Sequence, residues 1–173
     1  MTWGRVVLLA FVAFFGLTAC VFDLSSSDKP GKPAHPDYLP PRDEANWAKM
    51  QAFLADYKKR DGVQTLDNGI EYRWLNRGSG KGRKPTWAST VIVRYKGSLI
   101  DGTVFDQTKP GDPPAEFELN NVVKGWQEVV PLMRDGDKIE AVFPSEFGYG
   151  RAGKPPIKPD QVLIFEIELV GIK

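Results

Sequence analysis

Three short runs of this chain bring aromatic side chains together with very few polar groups. The first, Val91-Ile92-Val93-Arg94-Tyr95-Lys96-Gly97-Ser98-Leu99-Ile100-Asp101-Gly102-Thr103-Val104-Phe105-Asp106, puts a Tyr, a Phe and an Asp on one short β-hairpin. Val122-Val123-Lys124-Gly125-Trp126 and Phe147-Gly148-Tyr149-Gly150 follow downstream. Aromatic walls with sparse polar groups suit a pocket that receives an apolar ring and orients it with one or two hydrogen bonds. That is recognition chemistry rather than bond cleavage. The competing reading of such residues is an ordinary sheet core, and it is kept for Phe143 and Leu163. Tyr72 and Trp74 pack or face solvent and are assigned no role.

Other chemistries lack raw material. The chain has one His, His35, set among prolines, and one Cys, Cys20. A Ser-His-Asp triad or a two-His metal site therefore has nothing to build on. A lone Cys gives neither an intrachain disulfide nor a Cys-based metal cluster. With 23 Lys+Arg against 22 Asp+Glu the net charge is +1, which leaves no footprint for nucleic acid and no acidic tail. At 173 residues and 42% apolar content there is room for one ordinary domain plus extensions, and 14 Pro with 17 Gly imply many turns or a linker.

The elements that must hold the aromatic residues are legible in the alternation. Ile70-Glu71-Tyr72-Arg73-Trp74-Leu75 reads as a strand, and a Gly/Lys/Pro-rich loop over 77–85 leads to a second one over 91–96. There Val91, Val93 and Tyr95 share one face, so Tyr95 points inward with the valines. Ile100-Asp101-Gly102 supplies a turn, Val104-Phe105 starts another strand, and Phe117 and Leu119 mark the core side of the next. Trp126 opens a short helix reaching about Met133, with Val129, Leu132 and Met133 as its buried side and Pro131 an awkward member. Strands over 138–143 and 162–170 complete the set; in the last, Leu163, Phe165, Ile167 and Leu169 oppose Glu166 and Glu168. The predicted fold class is α+β: a curved antiparallel sheet wrapped around one short helix.

Upstream, residues 43–60 have helical periodicity, with Trp47, Met50, Phe53 or Leu54, and Tyr57 on one stripe, acidic residues at the start, basic ones at the end and Gly62 as C-cap. The stripe either packs on the following domain or dimerises. Residues 20–42 hold Ser25-Ser26-Ser27 and five prolines from Pro30 to Pro41, the composition of a solvated spacer. Residues 1–19 read as a secretory leader: Arg5, then an apolar run short of the ~20 residues a membrane span needs. It ends in Leu17-Thr18-Ala19-Cys20, which resembles the lipobox of bacterial lipoprotein precursors. That resemblance implies cleavage before Cys20, lipidation of its sulfur and a firm membrane anchor. Val21 after the Cys favours the outer membrane, facing the periplasm. The alternative is an ordinary leader with a chance Cys.

Tyr95-x-Gly97, Asp101-Gly102-x-x-Phe105-Asp106, Val122-Val123-x-Gly125-Trp126, Phe147-Gly148-Tyr149-Gly150 and Leu163-x-Phe165 occur in the order and near the spacing of the FKBP-type peptidyl-prolyl cis-trans isomerases, which the chain resembles from about Gly69 to its end. With its leader and extension it is similar to the envelope-targeted bacterial members. The resemblance implies an isomerase domain over 63–173, after a helix over 43–62, acting on proline-containing polypeptides without a cofactor and open to macrolide inhibitors. Tyr95, Phe105, Phe117, Ile157 and Phe165 would wall the proline pocket and Trp126 would floor it. Val122 and Val123 fall where the family has an apolar residue whose own backbone contacts the bound peptide, and Tyr149 would donate a hydrogen bond to a substrate carbonyl. Asp106 would be the polar member, either pinning Tyr95 or polarising the surroundings of that carbonyl. The connection from Phe117 to Trp126 is tight, and Lys154 stands near the place where some relatives have His. Other functions open on these residues are a client-binding chaperone and a surface-displayed virulence lipoprotein.

Overall fold

The computed structural model describes Leu39 and residues 41–173. The leader, Cys20 and most of the spacer lie outside the described residues. The helix α1 (Glu44–Tyr57) comes first, then the strands β1 (Gln64–Thr65), β2 (Glu71–Asn76), β3 (Thr90–Leu99), β4 (Val104–Gln107) and β5 (Ala115–Glu118). A second helix, α2 (Lys124–Val129), is followed by β6 (Lys138–Phe143) and β7 (Leu163–Ile172). The strands form one antiparallel sheet in the order β1-β2-β6-β7-β3-β4, with β5 pairing the first half of β3 and β4 the second. Among the described residues no helix is long and apolar enough to cross a membrane.

Register explains how one face of the sheet becomes a core. Across β3, β7 and β6 the rows read Tyr95–Ile167–Ile139, Gly97–Phe165–Ala141 and Leu99–Leu163–Phe143. Period-two alternation sends all of these to one side. In the middle row a large ring is flanked by the two smallest side chains, which gives Phe165 its space. Against this face α2 packs Trp126 and Val129, joined by Val130 and Met133, all 3% exposed or less.

The opposite face is covered near one end by α1. Met50 and Tyr57 are buried there with Val142 and Val162, and Phe53, Leu54 and Ile164 pack around them. Away from that patch this face is ionic: Glu166 meets Lys96 and Lys138, both at 3.1 Å. Burial opposes its charge, and the two ammonium groups outweigh that to hold its carboxyl below the usual range.

Several boundaries differ from the sequence expectation. α1 starts at an N-cap, Asp43, whose carboxylate accepts from the Asn46 N–H at 3.0 Å, and stops at Tyr57 with Lys58 as C-cap, short of Gly62. Gly62 instead turns the chain at φ 75°. β3 runs on through Gly97 to Leu99, because its second half has β4 as a further partner. α2 ends before Pro131, and residues Val130–Leu132 tighten into a 3₁₀ turn where the missing proline N–H is tolerated.

Candidate active site

β3 and β4 bring the first two aromatics and the carboxylate together. Their turn is set by Asp101, which accepts from the Thr103 N–H at 2.9 Å, and by Gly102 at φ 86°. The Tyr95 hydroxyl then donates to Asp106 Oδ2 at 2.7 Å across the pair. Burial, followed by this hydrogen bond and the carboxylate charge, raises the Tyr95 phenol above its ordinary pKa, so it remains a donor through the physiological range. Asp106 itself is exposed.

α2 places Trp126 at the floor, 3% exposed. Its ring meets Tyr95, Phe117 and Phe165 with centroids 5.3, 5.8 and 5.6 Å away, all edge to face. Tyr95 touches Phe117 at 5.7 Å, and Phe165 touches Phe105 at 5.5 Å. Each such contact contributes roughly 0.5–1.5 kcal/mol beyond area burial, so the walls are preorganised before any ligand arrives. The Trp126 indole N–H is buried without a hydrogen-bond partner, a donor that no described residue uses.

Two glycines make this box possible. A Cβ on Gly97 would lie 2.7 Å from the Phe105 ring and 2.8 Å from Phe165, and one on Gly125 would lie 2.5 Å from Phe143. The residues flanking Trp126 and Tyr95 in the sequence motifs are small because aromatic rings occupy the space a side chain would need.

Between these rings lies a cavity of about 300 Å³ lined by Tyr95, Phe105, Asp106, Phe117, Asn121, Val122, Val123, Trp126, Tyr149, Lys154 and Phe165. Nine of the ten pocket residues expected from the sequence therefore stand around one hollow. The tenth, Ile157, is not among the lining residues; it is buried in the same core cluster as Trp126 and Phe165. The loop from Gly148 to Gln161 folds back on itself, with Lys154 N–H to Ile157 O at 2.9 Å and Ile157 N–H to Lys154 O at 2.6 Å, so that Lys154 reaches the cavity instead. Val122 and Val123 line the hollow, but their carbonyls are engaged, accepting from Gln127 Nε2 at 2.8 Å and the Trp126 N–H at 3.0 Å.

The sequence reading did not single out Asn121 or Gln127. Asn121 Nδ2 donates to Glu118 Oε2 at 2.7 Å, fixing the stretch before the two valines. A polar residue just ahead of an apolar pair at a helix start was the available signal. The Tyr149 ring faces the hollow with the Lys154 ammonium 5.4 Å from its centroid.

Two family models match the chain: FKBP-type peptidyl-prolyl cis-trans isomerase over residues 81–170, and the domain amino terminal to it over residues 41–73. The chain belongs to the FKBP-type peptidyl-prolyl cis-trans isomerase family. It is 42% identical over 129 residues to the peptidyl-prolyl cis-trans isomerase Mip of Coxiella burnetii, covering 74% of this chain and 55% of the relative. It is 41% identical over 131 residues to the outer membrane protein MIP of Legionella longbeachae, covering 75% and 55%. The match to Escherichia coli FkpA is 39% over 128 residues, 74% of this chain and 47% of the relative. The chain thus spans about half the length of the curated relatives it matches. Among solved structures, a Pseudomonas syringae peptidyl-prolyl cis-trans isomerase aligns with TM-score 0.70 and 36% identity over 79% of this chain and 99% of that one. Escherichia coli FkpA aligns with TM-score 0.71 and 38% identity over 75% and 60%. The aromatic hollow of this FKBP-type domain lies within the first matched segment.

Proposed function

We propose that the protein is a peptidyl-prolyl cis-trans isomerase acting on polypeptides of the bacterial envelope, and that it is held at the membrane by lipidated Cys20. The observation that carries the activity is the enclosure of one hollow by Tyr95, Phe105, Phe117, Phe165 and Trp126 with a single carboxylate, Asp106, at its side. An X–Pro bond turns over in tens to hundreds of seconds because rotation must break amide resonance. As the amide twists, its carbonyl loses conjugation with nitrogen and the group becomes less dipolar. A largely aromatic box disfavours the planar, charge-separated form more than the twisted one. Each ~1.4 kcal/mol of that difference is worth tenfold in rate.

The roles follow from position. The prolyl ring rests on Trp126 between the walls, which holds one side of the bond still. Tyr149 donates to the carbonyl of the residue before proline and keeps it in the rotated geometry. Asp106 fixes Tyr95 through their 2.7 Å hydrogen bond rather than acting as a base, since no proton transfer is needed. A macrolide with a proline-like ring would compete for the same space. The leader ending in Cys20 and the name of one relative, an outer membrane protein, support the envelope location.

A protease-free prolyl-peptide assay on the chain lacking residues 1–42 tests the activity. Trp126→Ala is expected to lower kcat/KM by at least tenfold in the fraction that folds. If neither Trp126→Ala nor Asp106→Leu slows isomerisation, the catalytic assignment is wrong.

A further inference from the structure

The hollow carries two charged side chains, on different elements. Asp106 on β4 is tied to the Tyr95 hydroxyl. Lys154, on the loop from Gly148 to Gln161, is exposed and leans over the Tyr149 ring. Among the described residues no carboxylate pairs with it, although seven ion pairs form elsewhere on the domain. Its N–H and C=O are both bonded to Ile157, so the backbone beneath the ammonium is held in place. The cavity therefore offers a placed cation without a carboxylate partner, next to the tyrosine proposed to meet the substrate carbonyl.

We propose that Lys154 is a specificity-determining residue that favours an acidic side chain immediately before proline. The inference rests on the isomerase reading. If the prolyl ring lies on Trp126 and the preceding carbonyl lies at Tyr149, the residue before proline stands near the Lys154 ammonium, which is 5.4 Å from the Tyr149 ring centroid. A glutamate there meets the ammonium, and a lysine there is repelled. Asp106 stands on a different element and already has a partner, so it opposes an acidic side chain less than an uncommitted carboxylate would. An exposed ion pair of this kind is worth up to ~1 kcal/mol, which is about two- to fivefold in the specificity constant. It should weaken with salt, because the Debye length shrinks from ~30 Å at 0.01 M to ~3 Å at 1 M.

The test uses the full chain and three peptides that differ only in the residue before proline: Glu, its uncharged isostere Gln, and Lys. The readout is the ratio of kcat/KM for Glu over Gln, which cancels any loss of folded protein. The unaltered chain should prefer Glu by two- to fivefold at low salt and approach unity at 1 M. Lys154→Arg should keep the preference, Lys154→Gln should abolish it and Lys154→Glu should invert it toward the Lys peptide. A Glu/Gln ratio that stays the same in the Lys154→Gln and Lys154→Glu variants overturns the proposal, even with normal turnover. Absence of turnover of all three peptides by the unaltered chain overturns the isomerase reading instead.

Discussion

Asp106 and Tyr95 separate two meanings of a carboxylate in an aromatic site. The 2.7 Å bond favours the proposal that Asp106 holds the tyrosine wall, and the residue is exposed. If orientation is the role, an acceptor suffices and charge is secondary. Asp106→Asn is then expected to keep kcat/KM within about threefold. Asp106→Leu leaves the Tyr95 hydroxyl without its acceptor, a loss of roughly 1–3 kcal/mol, which corresponds to a fall of up to about a hundredfold. Equal losses in the two variants would show that the charge itself acts. Gly97 gives a second prediction at this scale. A methyl group there would sit against the rings of Phe105 and Phe165 at under 3 Å, so Gly97→Ala should destabilise by about 1–3 kcal/mol in urea melts and widen or distort the hollow.

Among the elements, α1 has the clearest energetic consequence. Met50 is 1% exposed beneath it, against Val142 and Val162, and its sulfur accepts from the Val162 N–H at 3.4 Å. Met50→Ala should cost about 2–5 kcal/mol in chemical denaturation while the folded fraction retains its activity, because the side chain is on the sheet face away from the hollow. At the other end of α1 the Tyr57 hydroxyl donates to Glu140 Oε1 at 2.7 Å, and Arg73 Nε donates to the same oxygen at 2.8 Å. Burial, then the hydrogen bond to Glu140 and its charge, raise the Tyr57 phenol above the ordinary value of 10.0, with Arg73 and Arg60 opposing. A phenol that stays protonated when folded but ionises near 10 when unfolded lends stability that is complete below that pH and is lost as pH climbs toward the raised value. The urea midpoint should therefore decline above pH 10, and Tyr57→Phe should flatten that decline.

For the whole molecule, the leader and spacer are expected to set location and the described domain to set chemistry. Cys20→Ser should abolish incorporation of labelled fatty acid and move the protein from the membrane fraction to the soluble one, with peptide isomerisation unchanged. Removal of residues 1–38 should likewise leave the melting temperature within a few degrees, since α1, its N-cap Asp43 and Arg42, which meets Asp160 and the Trp47 ring, remain.

Much of this architecture could be read from local pattern alone. Leu163, Phe165, Ile167 and Leu169 alternate with glutamates in only one sensible way, and the same parity turns Tyr95 inward beside Val91 and Val93. The Asp101-Gly102 turn is local chemistry too. What local pattern lacks is the distance between segments far apart in the chain. Nothing in the run Lys154-Pro155-Pro156-Ile157 says which side chain meets the hollow; the family motif pointed to Ile157, whereas Lys154 is the member of this run that lines the cavity. Asn121 and Gln127 acquired their positions only when the strand-to-helix connection closed over Trp126. Alternation and turn chemistry are properties of a few neighbouring residues, so the order of letters settled them. A binding hollow is empty space between elements, and its shape came from register, loop closure and the packing of rings against glycine.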